Sequence, residues 1–180
     1  GHRVAHGGEK LTAPTVLDDA AIAIIEDNIE LAPLHNPANL KGIRAARGVL
    51  PDATHVGVMD TAFSAGMPAV SRHYPIPYEW HATYRIYRYG FHGSSHAFVT
   101  EQAAAFIGRS TEESAFVSCH LGNGCTVSAV EGGRTRNISM GFTPLEGLMM
   151  GTRSGSIDAA IVQFLVSEKG LELDEVFDAL

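Results

Sequence analysis

The spacing of apolar residues along the chain changes character twice. Over residues 17–33, "LDDAAIAIIEDNIELAP", Ile22, Ile25 and Ile29 recur at helical spacing behind Asp18 or Asp19 as N-cap, and Pro33 should end the helix. "NPANLKGIRAARGVLP" repeats the pattern with Leu40, Ile43 and Leu50 nearly in phase, and Gly48 and Pro51 mark its end. "THVGVMDTAF" reads as a buried strand that closes on Asp60. Residues 63–90 fit neither period and predict loop and irregular structure. "SSHAFVTEQAAAFIGR" predicts a helix capped by Ser94 or Ser95, with Val99, Ala103, Phe106 and Ile107 inward and Gly108 as its stop.

From Ser114 the period shortens. "SAFVSCHLG", "CTVSAVEGG" and "RTRNISMGF" read as three consecutive strands joined by the turns "GNG" and "EGG", a meander. Two amphipathic helices, "SIDAAIVQFLVSEKG" and "LDEVFDAL", should close the chain, the first with Ile157, Ala160, Ile161, Phe164 and Leu165 inward. Alternation of strands and helices followed by a run of strands makes the class α/β. The change of pattern places one lobe over residues 1–62 and the start of a second over 63–180.

Composition narrows the function. With 45% hydrophobic and 18% charged residues the chain has the material for a packed core rather than disorder. A formal net charge of −7 argues against nucleic acid, so any anionic ligand must be met by local arginines. No apolar run approaches the ~20 residues that span a bilayer, and "GHRVAHGGEK" lacks the apolar core of a signal peptide. No membrane partner and a cytoplasmic location are expected. Cys119 and Cys125 suit reduced thiols better than a disulfide or zinc site. The first residue is not Met and the sequence opens on a strand, which suggests truncation at the amino terminus.

Several stretches carry candidate chemistry. "HLGNG", His120 to Gly124, suits either a backbone cradle for phosphate oxygens or an ordinary type I′ hairpin. Arg153 in "GTRSGSID" could meet a transferring phosphoryl group or be a solvated arginine before a helix. Arg3 in "GHRVAHGGE" is a second glycine-flanked arginine, and two such cations suit anionic substrates. Asp60 lies where α/β enzymes collect ligands, at the carboxyl end of a strand, and could place Mg²⁺ or a nucleophile, or merely cap the strand. In "YGFHGSSH", His92 and His96 could be two ligands of a metal, but nothing groups a third from His35, His73, His81 or His120. A phosphate grip at a helix start fits better than a metal, with one histidine on substrate and the other holding the loop, and two structural histidines at a helix start fit the local pattern equally well.

Taken in order, "GHRVAHGGE", "APLHNPANL", "VMDTAF", "RYGFHGSSH", "CHLGNG" and "SMGFTPLEGLMMGTRSGSID" closely resemble the acetate kinases and their propionate kinase relatives. The resemblance covers nearly the whole chain. It implies the actin-like (ribonuclease H-like) two-lobed ATPase superfamily, here as a partial chain, and reversible, Mg²⁺-dependent transfer of the γ-phosphoryl of ATP to acetate, giving acetyl phosphate and ADP. It further implies a homodimer.

By motif, Arg3 resembles the arginine that binds the substrate carboxylate, Asp60 the essential aspartate, and His92 with Arg153 the pair that stabilises the transition state. His120, Leu121, Gly122, Asn123 and Gly124 resemble the ATP phosphate loop, and His35 a supporting histidine, while His96 looks structural. Ala5, Leu34, Phe91 and Pro144 resemble the pocket around the acetate methyl, with alanine at position 5 where relatives commonly carry valine. The resemblance places the family's metal ligands and adenosine segments outside this sequence. The segment by itself is therefore expected to be inactive.

Overall fold

A computed structural model describes residues 1–180. The first sheet has three strands, β1 (His2–Val4), β2 (Thr15–Val16) and β3 (Val56–Met59), in the order β1-β3-β2, with β1 parallel and β2 antiparallel to the central strand. Helices α1 (Asp19–Asp27) and α2 (Asn36–Val49) cover it. Val4, Leu11, Leu17, Ile25, Leu40, Ile43 and Met59 form the main core between them. Asp18 caps α1 by accepting from the Ala21 amide at 2.8 Å.

Two boundaries differ from the periodic reading. Helix α1 ends at Asp27 rather than at Pro33, because Asn28 donates through Nδ2 to the Ile24 carbonyl at 2.7 Å and the chain then runs in turns. Leu50, expected on the apolar face of α2, is the C-cap residue and lies 57% exposed.

Residues 63–90 are not wholly irregular. A 3-10 turn (Ala62–Ser64) and two short helices, α3 (Ala69–Arg72) and α4 (Tyr78–Tyr84), lie there, each too short for a hydrophobic period to register. They are held by specific contacts instead. Buried His81 bridges the Ile86 carbonyl at 2.6 Å and the Tyr74 carbonyl at 3.2 Å, and the Arg72 guanidinium stacks 4.2 Å over Tyr87.

Helix α5 (Gly93–Phe106) is where the sequence misleads most. Its N-cap is His92, in a left-handed conformation at φ 59°, so Ser94 and Ser95 fall inside the first turn. The Gly93 amide donates to the Asp60 carbonyl at 2.9 Å, and a Cβ at Gly93 would sit 2.3 Å from that same oxygen. Only glycine allows this approach. The buried stripe is Gly93, His96, Thr100 and Ala104, whereas Val99, Phe106 and Ile107 are 45%, 92% and 52% exposed. Small and hydrogen-bonding side chains bring this helix against the second sheet, and its apolar face is left uncovered.

That sheet is the expected meander, β4 (Ala115–Leu121), β5 (Cys125–Glu131) and β6 (Arg134–Ile138), antiparallel throughout. Paired Leu121 and Cys125 leave a three-residue turn, and neither Gly122 nor Gly124 has the positive φ that a type I′ turn requires. The chain ends in α6 (Ala160–Lys169) and α7 (Leu173–Ala179), which pack on each other. Ile157, Ala160, Ile161 and Phe164, expected inward, are exposed, because no other element lies against that face. No helix is long and apolar enough to cross a membrane.

Candidate active site

Strand β3 delivers Asp60 at its carboxyl end, beside Arg3 on parallel β1. Arg3 Nε lies 3.0 and 3.1 Å from the two carboxylate oxygens of Asp60, and Nη2 lies 2.5 Å from Oδ2. The Asp60 side chain is 4% exposed and that of Arg3 is 69% exposed, so the cation reaches outward from a buried anion. This hydrogen bonding raises the Arg3 guanidinium further above its ordinary value.

His92, in its left-handed conformation, lines the same space as Arg3 and Asp60. Its Nδ1 meets the Thr126 hydroxyl at 3.0 Å, and its face stacks on His120 with ring centres 4.1 Å apart. His120 in turn meets the Ser95 hydroxyl at 2.9 Å. Arg153 arrives from the loop after β6, where Nη1 donates to the Pro144 carbonyl at 2.7 Å. A Cβ built on Gly124 would lie 2.9 Å from Arg153 Nη2 and 3.3 Å from the His92 ring, so this glycine keeps open the gap between arginine and imidazole.

These groups border two connected spaces. One is a cavity of about 340 Å³ lined by Arg3, Ala5, Leu34, His35, Asp60, Phe91, His92, Pro144 and Arg153 among others. All nine were singled out in the sequence. The other is a groove of about 410 Å³ lined only by non-hydrophobic residues, including Ser94, Ser95, His120, Gly122 and Asn123. Arg3, Asp60, His92 and Gly124 line both, and so form the junction. Leu121 borders neither space and is 72% exposed, and Leu34, although it lines the cavity, is 86% exposed at its rim.

Sequence reasoning missed several contributors. Leu31, Ala32 and Pro33 add apolar wall from the turns after α1, and Met140, fully buried against Phe91, adds another part of the lining. Thr126 gave no signal, since an isolated threonine in a β pattern is an ordinary strand residue. The loop bearing Pro144 is pinned by Glu146, which takes a hydrogen bond from the Tyr74 hydroxyl and an ion pair from Arg88 at 2.8 Å. Those partners lie more than fifty residues away in sequence, so no local pattern exposes them.

Asp60 is the one carboxylate lining the cavity, and nowhere do three His, Cys, Asp or Glu side chains converge as a metal-binding group. Mg²⁺ keeps several waters and takes one or two carboxylates plus substrate phosphates. Asp60 fits that demand as a single contact, not as a cage.

Three imidazoles in or beside this site, His6, His92 and His96, are pushed down to about 4, first of all by burial. In the unfolded chain they regain an ordinary value near 6.5. Between those values the unfolded state binds more protons, so their contribution is intact above about pH 6.5 and is lost as pH falls toward 4. Thermal melts of the complete protein are expected to show a Tm that falls between pH 6.5 and pH 4.5. An unchanged Tm across that window would contradict neutral burial of these rings.

The sequence profile of the acetokinase family matches residues 1–180. The acetate kinase of Caldanaerobacter subterraneus is 54% identical over 180 residues, which is 100% of this chain and 45% of that protein. Among solved structures, Porphyromonas gingivalis acetate kinase superposes with a TM-score of 0.95 at 42% identity, covering 99% of this chain and 45% of that one. A propionate kinase from Francisella tularensis gives 0.93 at 42% identity, covering 100% of this chain and 46% of its own. The chain therefore spans less than half the length of the relatives it matches. Matched over its whole length, and with the mixed α/β fold of the acetate and propionate kinases, the chain belongs to the acetokinase family.

Proposed function

We propose that the complete protein is an acetate kinase, transferring the γ-phosphoryl group of ATP reversibly to acetate to give acetyl phosphate and ADP. The observation that carries this reading is the junction, where a partly apolar cavity opens into a polar groove through Arg3, Asp60, His92 and Gly124. A carboxylate oxygen on the cavity side forms the new bond to phosphorus as the bond to the β-phosphate oxygen breaks toward the groove. ADP leaves with the electron pair of the broken bond.

In this reading Arg3 binds the acid's carboxylate, and His92 and Arg153 hold the equatorial oxygens of the moving phosphoryl group, where charge is greatest in the transition state. The turn from His120 to Gly124 carries the ATP phosphates, and His35 supports the cavity rim. Ala5, Leu34, Phe91 and Pro144 enclose the methyl group. Acetate, with a pKa of ~4.3 by analogy with Glu, is already ionised at neutral pH and needs no general base. Asp60 therefore places rather than deprotonates. Mg²⁺ bound with ATP would neutralise phosphate charge, and Asp60 is the residue here that could reach its water shell.

The same reading carries a cytoplasmic homodimer with no nucleic-acid or membrane partner, and the net charge of −7 supports the absence of nucleic acid. Residues 1–62 would close one lobe and 63–180 open the next, with one three-stranded sheet in each. The adenosine end of ATP and the remaining metal ligands would come from the rest of the protein.

Propionate is the alternative acceptor, favoured by Ala5, which is 9% exposed and lines the cavity. Removing the two methyl groups of the valine common in relatives makes room for about one methylene, worth ~1–3 kcal/mol in selectivity at most. Ala5→Val is expected to shift the ratio of kcat/KM values toward acetate by about tenfold. Equal or greater propionate selectivity in that variant would count against this pocket. The function itself is tested by acetate-dependent ADP formation with chemical trapping of the acyl phosphate. No acyl phosphate from any short carboxylate would end the reading, and phosphorylation of a hydroxyl compound would favour a sugar-kinase-like enzyme.

A further inference from the structure

Thr126 is fully buried near the start of β5, and its single hydroxyl lies between two imidazoles, 3.0 Å from His92 Nδ1 and 2.7 Å from His96 Nε2. A hydroxyl carries one proton, so it donates to only one of these nitrogens and must accept from the other ring. On its far side, fully buried His96 places Nδ1 2.9 Å from the buried Ser118 hydroxyl. Ser118, His96, Thr126 and His92 thus form one chain in which each proton position dictates the next.

With both rings neutral, two arrangements satisfy every contact. In the first, Ser118 donates to His96 Nδ1, His96 Nε2–H donates to Thr126, and Thr126 donates to His92 Nδ1, leaving the His92 proton on Nε2. In the second, every donor and acceptor is reversed, and His92 Nε2 is a bare lone pair. Because Thr126 holds Nδ1 on the buried side, Nε2 is the edge turned toward Gly124, where an added Cβ would lie 3.4 Å away, and His92 lines both spaces at the junction. A lone pair aimed at an anionic oxygen is repelled, while an N–H binds it. An anion between Arg3 and Arg153 therefore favours the first arrangement, and the Thr126 hydroxyl, donating to Nδ1, holds the ring in it.

We infer that Thr126 and His96 are positioning residues that fix His92 as a neutral Nε2–H donor to an anionic oxygen at the junction. The identification of that oxygen as part of a phosphoryl group rests on the proposed function, whereas the hydrogen-bond chain does not. Burial keeps both rings uncharged at neutral pH, so orientation of one N–H, not a full charge, is what His92 supplies. A donor set in advance needs no reorganisation as charge develops on the ligand. The same anchor holds His92 in its left-handed backbone conformation, which is uncommon for a residue with a side chain. His96 is thus more than a loop brace.

The test uses the complete protein labelled with nitrogen-15 histidine, inorganic phosphate as the anion, and His92→Gln to assign the ring signals by subtraction. With phosphate bound, the proton of His92 is expected on Nε2 between pH 6 and pH 8. Thr126→Val, similar in shape but without the hydroxyl, is expected to mix the two tautomers and lower kcat about tenfold with KM for ATP changed less than about twofold. Thr126→Ser should restore both the tautomer and kcat to within about threefold. A proton on Nδ1 in the wild type, or a valine variant with unchanged tautomer and unchanged kcat, would overturn the assignment. Should the valine variant not fold, the wild-type tautomer and the serine variant decide the matter. A wild type that makes no acyl phosphate would overturn the proposed function alone, since the tautomer is read without turnover.

Discussion

Replacing Arg153 by alanine is expected, under the proposed phosphoryl transfer, to lower kcat of the complete protein about 1,000-fold while KM for ATP stays within about threefold. The guanidinium is tethered through Nη1 to the Pro144 carbonyl, which leaves Nη2 beside the gap kept open by Gly124, facing the His92 ring. A donor fixed at that point gains most when charge spreads over the equatorial oxygens of a phosphoryl group, so its loss falls on the transition state, by about 4 kcal/mol for that factor. Arg153→Lys should recover little, because an ammonium is a point charge and cannot bond the Pro144 carbonyl and a phosphoryl oxygen in one plane. Steady-state kinetics with acetate and ATP varied separately decide this. An effect confined to KM would make Arg153 a ground-state binding residue.

Asp60→Asn should lower kcat/KM by about the same factor, and the residual activity should be flat from pH 6.5 to pH 8.5. The substitution keeps the shape but removes the charge that holds Arg3 by its Nε and Nη2. Arg3 is then free to swing, and in the proposed reaction both its aim at the carboxylate substrate and any placement of Mg²⁺ through Asp60 would be lost. Since a carboxylate nucleophile is already ionised, no proton has to be removed across this range. Residual activity rising tenfold per pH unit would instead identify Asp60 as a general base for a hydroxyl acceptor.

Much of the candidate site was legible in the sequence because the side chains that line it lie in short contiguous motifs. "FHGSSH", "MDTAF" and "GTRSG" each keep a reactive side chain next to the glycine or strand end that positions it, and local backbone geometry is written locally. The first two helices were legible for a related reason, since Ile22, Ile25, Leu40 and Ile43 pack on one sheet through a single apolar stripe. Helix α5 was misread because its inward stripe is built from His96, Thr100 and small residues, and hydrophobicity alone ranks the opposite face as the core. Helix α6 was misread because an apolar stripe predicts burial only where another element covers it, and its packing on α7 leaves Ile161 and Phe164 exposed.

By itself the sequence determined the α/β class, the meander, the family resemblance and ten of the residues that border the cavity. Each of these depends on residue type and near-neighbour spacing. Only the tertiary structure decided that Arg3 and Asp60 pair across parallel strands fifty-seven residues apart, that cavity and groove meet at four shared residues, and that a buried threonine on β5 joins the N-cap histidine of α5 to a histidine inside that helix. Those are distances between remote segments. They are set when the sheets and helices pack, because a hydrogen bond reaches only about 3 Å and no local pattern records which distant atom will be there.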